Sequence, residues 1–158
     1  MLSILLGGIN LQKTFVMIKP DGVERGLVGP IISRIEAKGF KLVGLKMLRM
    51  SEEMAGRHYA EHRDKPFFQE LIDFITASPV VAMAWEGDGV VEGVRRLMGS
   101  TNPLEAEPGT IRGDYGIYIS KNVIHGSDSP TSAERELQLF FRPEEILNYS
   151  RSLDQWLF

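Results

Sequence analysis

Six apolar residues in succession, Val80-Val81-Ala82-Met83-Ala84-Trp85, leave no polar side for water. A run of that length behind Pro79 reads as a strand, and a strand without a polar face belongs in the middle of a sheet. The remainder of the chain must supply its neighbours and its covers.

Residues 13–18 are β-rich and stop at Lys19-Pro20-Asp21-Gly22, where proline and Asp-Gly force a turn, so Lys19 sits at a strand end. Pro30 opens a helix with Ile31, Ile32 and Ile35 on one face, and Gly39 closes it. Residues 40–48 read as a second strand. Ser51 followed by Glu52 and Glu53 is a helix start, predicting a short helix that carries His58 and Tyr59 and ends before Pro66. Phe68, Leu71, Ile72 and Ile75 have the spacing of an amphipathic helix. Asp88 can cap a further helix with Val90, Val91, Val94, Leu97 and Met98 inward, Arg95 and Arg96 outward, and Gly99 as its stop. Residues 100–114 read as a long loop, a length that usually means either function or disorder. Residues 115–124 form an apolar approach to His125, and Ser129-Pro130 starts a helix with Ala133, Glu136, Leu137 and Phe140 on one face. This order predicts an α+β fold, a four-stranded antiparallel sheet covered by helices in the split β-α-β, ferredoxin-like arrangement.

At 158 residues the chain is the size of one domain, expected over residues 13–158 behind an extension of residues 1–12. The apolar start Met1-Leu2-Ser3-Ile4-Leu5-Leu6-Gly7-Gly8 lacks a basic flank and is too short for a signal peptide or a membrane span, so we expect a cytoplasmic protein. With no cysteine, disulfides, thiolate nucleophiles and cysteine-ligated metals are excluded. A net charge of −3 disfavours nucleic acid and acidic membranes as partners. Cations for an anionic substrate must therefore be gathered locally.

The chemistry concentrates in Asn122-Val123-Ile124-His125-Gly126-Ser127-Asp128. An imidazole is largely neutral near pH 7 and nucleophilic without a separate base, which suits attack on phosphorus. The plain alternative is a histidine hydrogen-bonded in a core. Glu136 favours the first, because a carboxylate on an apolar helix face needs a partner and can accept the ring N–H of His125. Ser127 can support the same acid or serve only as a turn former. A triad of Ser127, His125 and Asp128 is disfavoured, since neighbours on an extended segment point to alternate sides and no Gly-x-Ser-x-Gly elbow exists. Lys19, Arg95 and Arg112 can converge on a polyphosphate, although each alone reads as a solvated charge. Phe67 can offer an aromatic face to a base or join the core beside Phe68.

Four near-motifs fail. Gly7-Gly8-Ile9-Asn10-Leu11-Gln12-Lys13-Thr14 has Gln12 where a phosphate loop needs glycine, and strand rather than helix follows. Gly87-Asp88-Gly89-Val90-Val91-Glu92 lacks the third glycine of a dinucleotide site and reads as a helix cap. His62-Arg63-Asp64 has no Asp-Phe-Gly partner for a protein-kinase loop. Lys38-Gly39-Phe40-Lys41-Leu42-Val43 resembles an RNA-recognition signature without its second stacking aromatic. It keeps a nucleic-acid-binding module as a competing reading.

Five segments together resemble the nucleoside diphosphate kinases: Thr14-Phe15-Val16-Met17-Ile18-Lys19-Pro20-Asp21-Gly22-Val23, Arg25-Gly26-Leu27-Val28-Gly29, Thr101-Asn102-Pro103, Pro108-Gly109-Thr110-Ile111-Arg112-Gly113-Asp114 and Asn122-Val123-Ile124-His125-Gly126-Ser127-Asp128-Ser129. The resemblance implies reversible transfer of a terminal phosphate from a nucleoside triphosphate to a nucleoside diphosphate, by a ping-pong route through a phosphohistidine. It implies His125 as the phosphate carrier, Glu136 as the acid orienting its ring and Ser127 as the hydroxyl beside that pair. Lys19, Tyr59, Arg95, Thr101 and Arg112 match phosphate contacts, Lys19 and Asn122 face the sugar hydroxyls, and Phe67 matches the aromatic under the base, whose stacking implies broad base specificity. Mg²⁺ is expected on the phosphates and water, with no protein metal ligand. The resemblance further implies a homo-oligomer, a hexamer rather than a tetramer, from the long end reaching Trp156-Leu157-Phe158. An idle scaffold of the same family is disfavoured because every matched site residue is present.

Overall fold

The structure is a computed structural model and describes residues 10–157. Most of the expected extension, and Phe158, lie outside the described residues. Strands β1 (Leu11–Ile18), β2 (Lys41–Leu48), β3 (Val80–Asp88) and β4 (Ile124–Gly126) form one antiparallel sheet in the order β2-β3-β1-β4. The chain is α+β, with β1 inserted between β3 and β4 as the split β-α-β arrangement requires.

The apolar run is indeed central, between β2 and β1, and its alternation explains why it has no polar face. Val80, Ala82 and Ala84 join Phe15 and Met17 in one core, while Val81, Met83 and Trp85 join Val16 and Ile18 in another. Helices α3 (Glu52–His58), α4 (Phe68–Thr76) and α7 (Pro130–Phe140) close the first through Ala55, Ile72, Ile75, Leu137 and Phe140. Helices α2 (Val28–Lys38) and α5 (Val90–Met98) close the second through Ile31, Ile35, Val90, Val94 and Met98. Phe140 stacks on Phe15 with ring centroids 4.3 Å apart, which seats α7 on the strand beside β4. The buried side of α7 is the Ala133, Glu136, Leu137, Phe140 face expected from its spacing, and Ser129 caps it by accepting the Ser132 N–H at 3.1 Å.

Local chemistry departs from the expected elements at several points. β1 begins two residues early, at Leu11, which pairs with Asp88. α2 begins at Val28 rather than Pro30, with no side-chain cap. Asp88 does not cap α5; its carboxylate accepts the backbone N–H of Asn10, and Gly89, at φ 60°, takes the cap position that a side chain would strain. α3 stops at His58, before Pro66, because the chain tightens into a 3₁₀ turn at Ala60–His62. Leu97 is only partly buried. Phe40, in the RNA-recognition look-alike, packs over Gly87 and Gly93, where an added Cβ would lie 2.6 and 2.4 Å from its ring, so it is not a free stacking platform.

The largest departures lead into the site. The expected loop of residues 100–114 ends in a helix, α6 (Ile111–Tyr115), because Thr110 Oγ1 accepts the Gly113 N–H at 3.0 Å. The expected approach strand is mostly irregular, with a 3₁₀ turn at Ile119–Lys121 and only three residues in β4. At Val123 the backbone is left-handed, φ 65°, a conformation that a β-branched residue adopts at a cost of about 1–3 kcal/mol. Two contacts hold it there: Lys19 N donates to Val123 O at 2.9 Å, and Val123 N donates to Asp21 Oδ2 at 3.0 Å. Lys19 immediately precedes, and Asp21 lies in the first turn of, the short helix α1 (Pro20–Glu24), where only a turn was expected.

Gly22 completes that clamp, since a Cβ there would stand 2.7 Å from Ile18 Cγ2 and 2.9 Å from Val123 O. Gly22→Ala should lower unfolding stability by about 1–3 kcal/mol, read as a lower urea midpoint. Gly29→Ala, on α2 with nothing within 4 Å of the added methyl, should be neutral or stabilising. Equal midpoints for the two variants would refute the clamp.

Candidate active site

His125 is the middle residue of β4, opposite Met17 on β1. Its position on a hydrogen-bonded strand fixes its backbone, and helix α7 brings Glu136 across to it. Nε2 of His125 lies 2.6 Å from Glu136 Oε2, and Ser127 Oγ donates to Glu136 Oε1 at 2.8 Å. The carboxylate is buried, and both of its oxygens accept. The Nε2 contact is therefore an N–H donated by the ring, which leaves the Nδ1 lone pair free. The Ser127 backbone N–H donates to Phe15 O at 3.0 Å, so the residue whose hydroxyl holds the acid is itself anchored on β1. This is the pairing expected from the apolar-face glutamate.

A cleft of about 330 Å³ opens beside the ring, and the expected cations converge on it. Lys19 reaches it from the end of β1 and donates Nζ to Asn122 Oδ1 at 2.7 Å. Burial first, and then the Arg112 guanidinium, pull Lys19 down to about 8, with Asp21 opposing. Arg112 is buried on α6 and donates to the carbonyls of Asn122, Gly99 and Ile124 at 3.3, 3.3 and 2.7 Å. Burial, followed by Arg95, brings it down to about 10, so it remains a cation at neutral pH. Arg95, on α5, donates to Gly126 O at 3.2 Å. Thr101 also lines the cleft, its carbonyl accepting from Asn122 Nδ2 at 3.0 Å. Tyr59, just past α3, is pushed up to about 12 by burial and by the Glu136 carboxylate, and keeps its phenol proton.

Eight of the ten expected site residues thus line one cavity, with Ser127 behind it on Glu136. Phe67 does not line the cleft. Its ring is exposed, 5.7 Å from that of His62, which does line it. The alternative in which Phe67 joins the core is ruled out, because that place is taken by Phe68.

The residue that sequence reasoning missed is His58. It is buried and lies edge-on to His125, with ring centroids 4.8 Å apart, and its Nδ1 stands 3.9 Å from Glu136 Oε2 without a hydrogen-bond partner. Burial, and then His125, hold its imidazole well below the usual histidine range. The one available signal was spacing: Ala55 and His58 lie three apart on α3 and both turn inward. Arg135, next to Glu136, also lines the cleft and carried no signal of its own. Among the described residues, the one cluster of metal-capable groups is His58, His125 and Glu136.

A family model described as nucleoside diphosphate kinase matches residues 12–146. The chain is 61% identical over 148 residues to the nucleoside diphosphate kinase of Carboxydothermus hydrogenoformans, covering 94% of this chain and 99% of that one. It is 56% identical to that of Bacillus cereus, covering 94% of this chain and 100% of the relative. Among solved structures, a halophilic nucleoside diphosphate kinase from Halobacterium salinarum in complex with CDP superposes with a TM-score of 0.92 at 52% identity, over 94% of this chain and 99% of that one. A nucleoside diphosphate kinase family protein from Babesia bovis gives 0.91 at 44% identity, over 93% and 99%.

Proposed function

The chain belongs to the nucleoside diphosphate kinase family, whose activity is nucleotide phosphate transfer, and from that premise we propose a ping-pong route through a phosphohistidine at His125. The observation that carries the proposal is the free Nδ1 of a ring whose Nε2 is tied to a buried carboxylate, beside a cleft lined with cations.

In this reading the Nδ1 lone pair attacks the terminal phosphorus of a nucleoside triphosphate. The P–N bond forms as the bond to the bridging oxygen breaks, and the nucleoside diphosphate leaves. A phosphate oxygen of a second nucleoside diphosphate then attacks the phosphohistidine, breaking P–N and restoring the ring. Glu136 orients the imidazole and stabilises its charge, with Ser127 holding the carboxylate. Arg95, Arg112, Thr101, Tyr59 and Lys19 position the phosphates around a loose phosphoryl group, and Lys19 with Asn122 meets the sugar hydroxyls. Phe67, exposed near the mouth, supplies a stacking face that any base can use, so base specificity is broad.

Mg²⁺ prefers oxygen ligands in octahedral geometry and keeps its waters, whereas the one metal-capable cluster among the described residues is nitrogen-rich. Mg²⁺ would therefore be held by the nucleotide phosphates and water, where it would supply charge neutralisation. Among the described residues no helix is long and apolar enough to cross a membrane. On its family membership we place the protein in the cytoplasm. Exposed Leu45 and Met47 on β2, an edge strand, and exposed Ile117, Tyr118 and Ile119 are apolar faces suited to subunit contacts, which supports a homo-oligomer. We favour a hexamer.

The test is direct. Purified protein incubated with ATP and Mg²⁺ should take up one phosphoryl group per chain, acid-labile and base-stable, and any nucleoside diphosphate should discharge it. Label that survives acid would exclude phosphohistidine.

Lys19 adds a pH dependence. With its ammonium pulled down to about 8, the free enzyme loses a phosphate-binding charge as pH rises through that value. kcat/KM should fall on the alkaline side near pH 8. Bound phosphates hold the proton on Lys19, so kcat should fall later. In Lys19→Arg the alkaline fall in kcat/KM should disappear, because guanidinium stays protonated. A kcat/KM that is flat from about pH 7 to 9.5 in the unaltered enzyme would remove Lys19 from that role.

A further inference from the structure

We propose that His58, Glu136 and His125 form an inhibitory site for a divalent transition metal of the zinc class, whose occupation switches the nucleophile off. The site rests on three observations. The three side chains can each offer one ligand atom, all within 4.8 Å of one another. His58 Nδ1 is buried and has no hydrogen-bond partner, although it points toward Glu136 Oε2 at 3.9 Å. All three residues line the cleft, so an ion has a way in and an open side for a fourth ligand.

The geometry is close to what zinc needs. With bonds of about 2.0–2.2 Å, tetrahedral ligands stand about 3.3 Å apart. Glu136 Oε2 lies 2.6 Å from His125 Nε2 and 3.9 Å from His58 Nδ1, so shifts of under about 1 Å equalise these two, while the cluster's outer limit of 4.8 Å requires the two imidazoles to close by up to about 1.5 Å as the ion binds. Two imidazoles and one carboxylate with an open position suit zinc or its neighbours, not Mg²⁺. The chain contains no cysteine and only three histidines, so few other groups compete for such an ion.

The consequence for His125 follows from its tautomer. In the metal-free site the 2.6 Å contact to a carboxylate, which accepts, assigns the proton to Nε2. A metal bound at Nε2 displaces that proton, and a neutral ring must then carry it on Nδ1. The lone pair that attacks phosphorus is thereby lost, and Glu136 is drawn from the ring to the metal. This inhibition rests on the phosphohistidine reading. Metal binding itself does not.

The experiment uses the full chain and Zn²⁺ alone as the probe. Calorimetry should show one Zn²⁺ per chain, with affinity weakened at least about tenfold in His58→Asn and unchanged in His62→Asn. Glu136→Gln is a second variant that should weaken it as well. In ¹⁵N-histidine spectra, Zn²⁺ should move the His125 N–H from Nε2 to Nδ1. Phosphoenzyme formation from excess ATP and Mg²⁺ should slow with Zn²⁺, each protein being compared with its own metal-free rate, and His58→Asn should need at least about ten times more Zn²⁺ for the same slowing. No stoichiometric binding, equal affinity in His58→Asn, or an unmoved His125 N–H would overturn the proposal. Failure of the metal-free protein to label would instead refute the phosphohistidine reading and leave the binding and tautomer results to decide the metal site.

Discussion

Incubated with ATP and Mg²⁺, His125→Ala will carry no acid-labile phosphate, and its transfer rate will fall by at least about 10⁴-fold. The size of the effect follows from what remains. Removing the ring deletes the nucleophile while Lys19, Arg95 and Arg112 stay in the cleft, so binding persists without a group to receive the phosphoryl. No cysteine can substitute; His62, also in the cleft, has no carboxylate partner among the described residues, and His58 is buried with its Nδ1 on the Glu136 side, 3.9 Å from Oε2. The variant should fold, because Glu136 keeps the Ser127 hydroxyl as a donor. Nucleotide affinity within a few fold of the unaltered enzyme, together with absent labelling, is the expected pair of results. Persistent acid-labile label would place the phosphate elsewhere.

The second large effect is at Glu136. Glu136→Ala frees the ring of His125 to rotate and to choose its tautomer, and single-turnover phosphorylation should slow by about 10–100-fold. KM should change little, because the carboxylate orients the ring and leaves the phosphates to the cations. Ser127→Ala should give a smaller loss of the same kind, since its hydroxyl acts only through Glu136. Burial raises the stakes at this position: truncation leaves Ser127 Oγ and the His125 N–H without their shared acceptor. The protein should nonetheless fold, as Leu137 and Phe140 keep α7 on the sheet. An unchanged single-turnover rate would return Glu136 to a structural role.

Much of this architecture was legible in the residues. The two-faced apolar run of residues 80–85 required a central strand, and the Ala133, Glu136, Leu137, Phe140 face announced a buried carboxylate in need of a partner. Those signals are local: period, volume and the desolvation of one charge. What failed had causes that reach between remote segments. Asp88 looked like a cap, but Gly89 reached the left-handed cap conformation without strain, which freed Asp88 to bind Asn10 N. Residues 115–123 looked extended because they are apolar, yet the Lys19 and Asp21 contacts to Val123, over 100 residues away, outweigh that preference.

The sequence by itself therefore determined the sheet, its covers and the chemical types of the site, since burial patterns and hydrogen-bonding needs are properties of short segments. Only the tertiary structure decided which ring nitrogen of His125 is free, because that depends on the approach of a carboxylate from another element at 2.6 Å. It alone decided that His58 stands against the same acid, and that Arg112 is buried with its charge aimed into the cleft beside Lys19. Such relations depend on distance and shielding between remote segments, which no spacing along the chain contains.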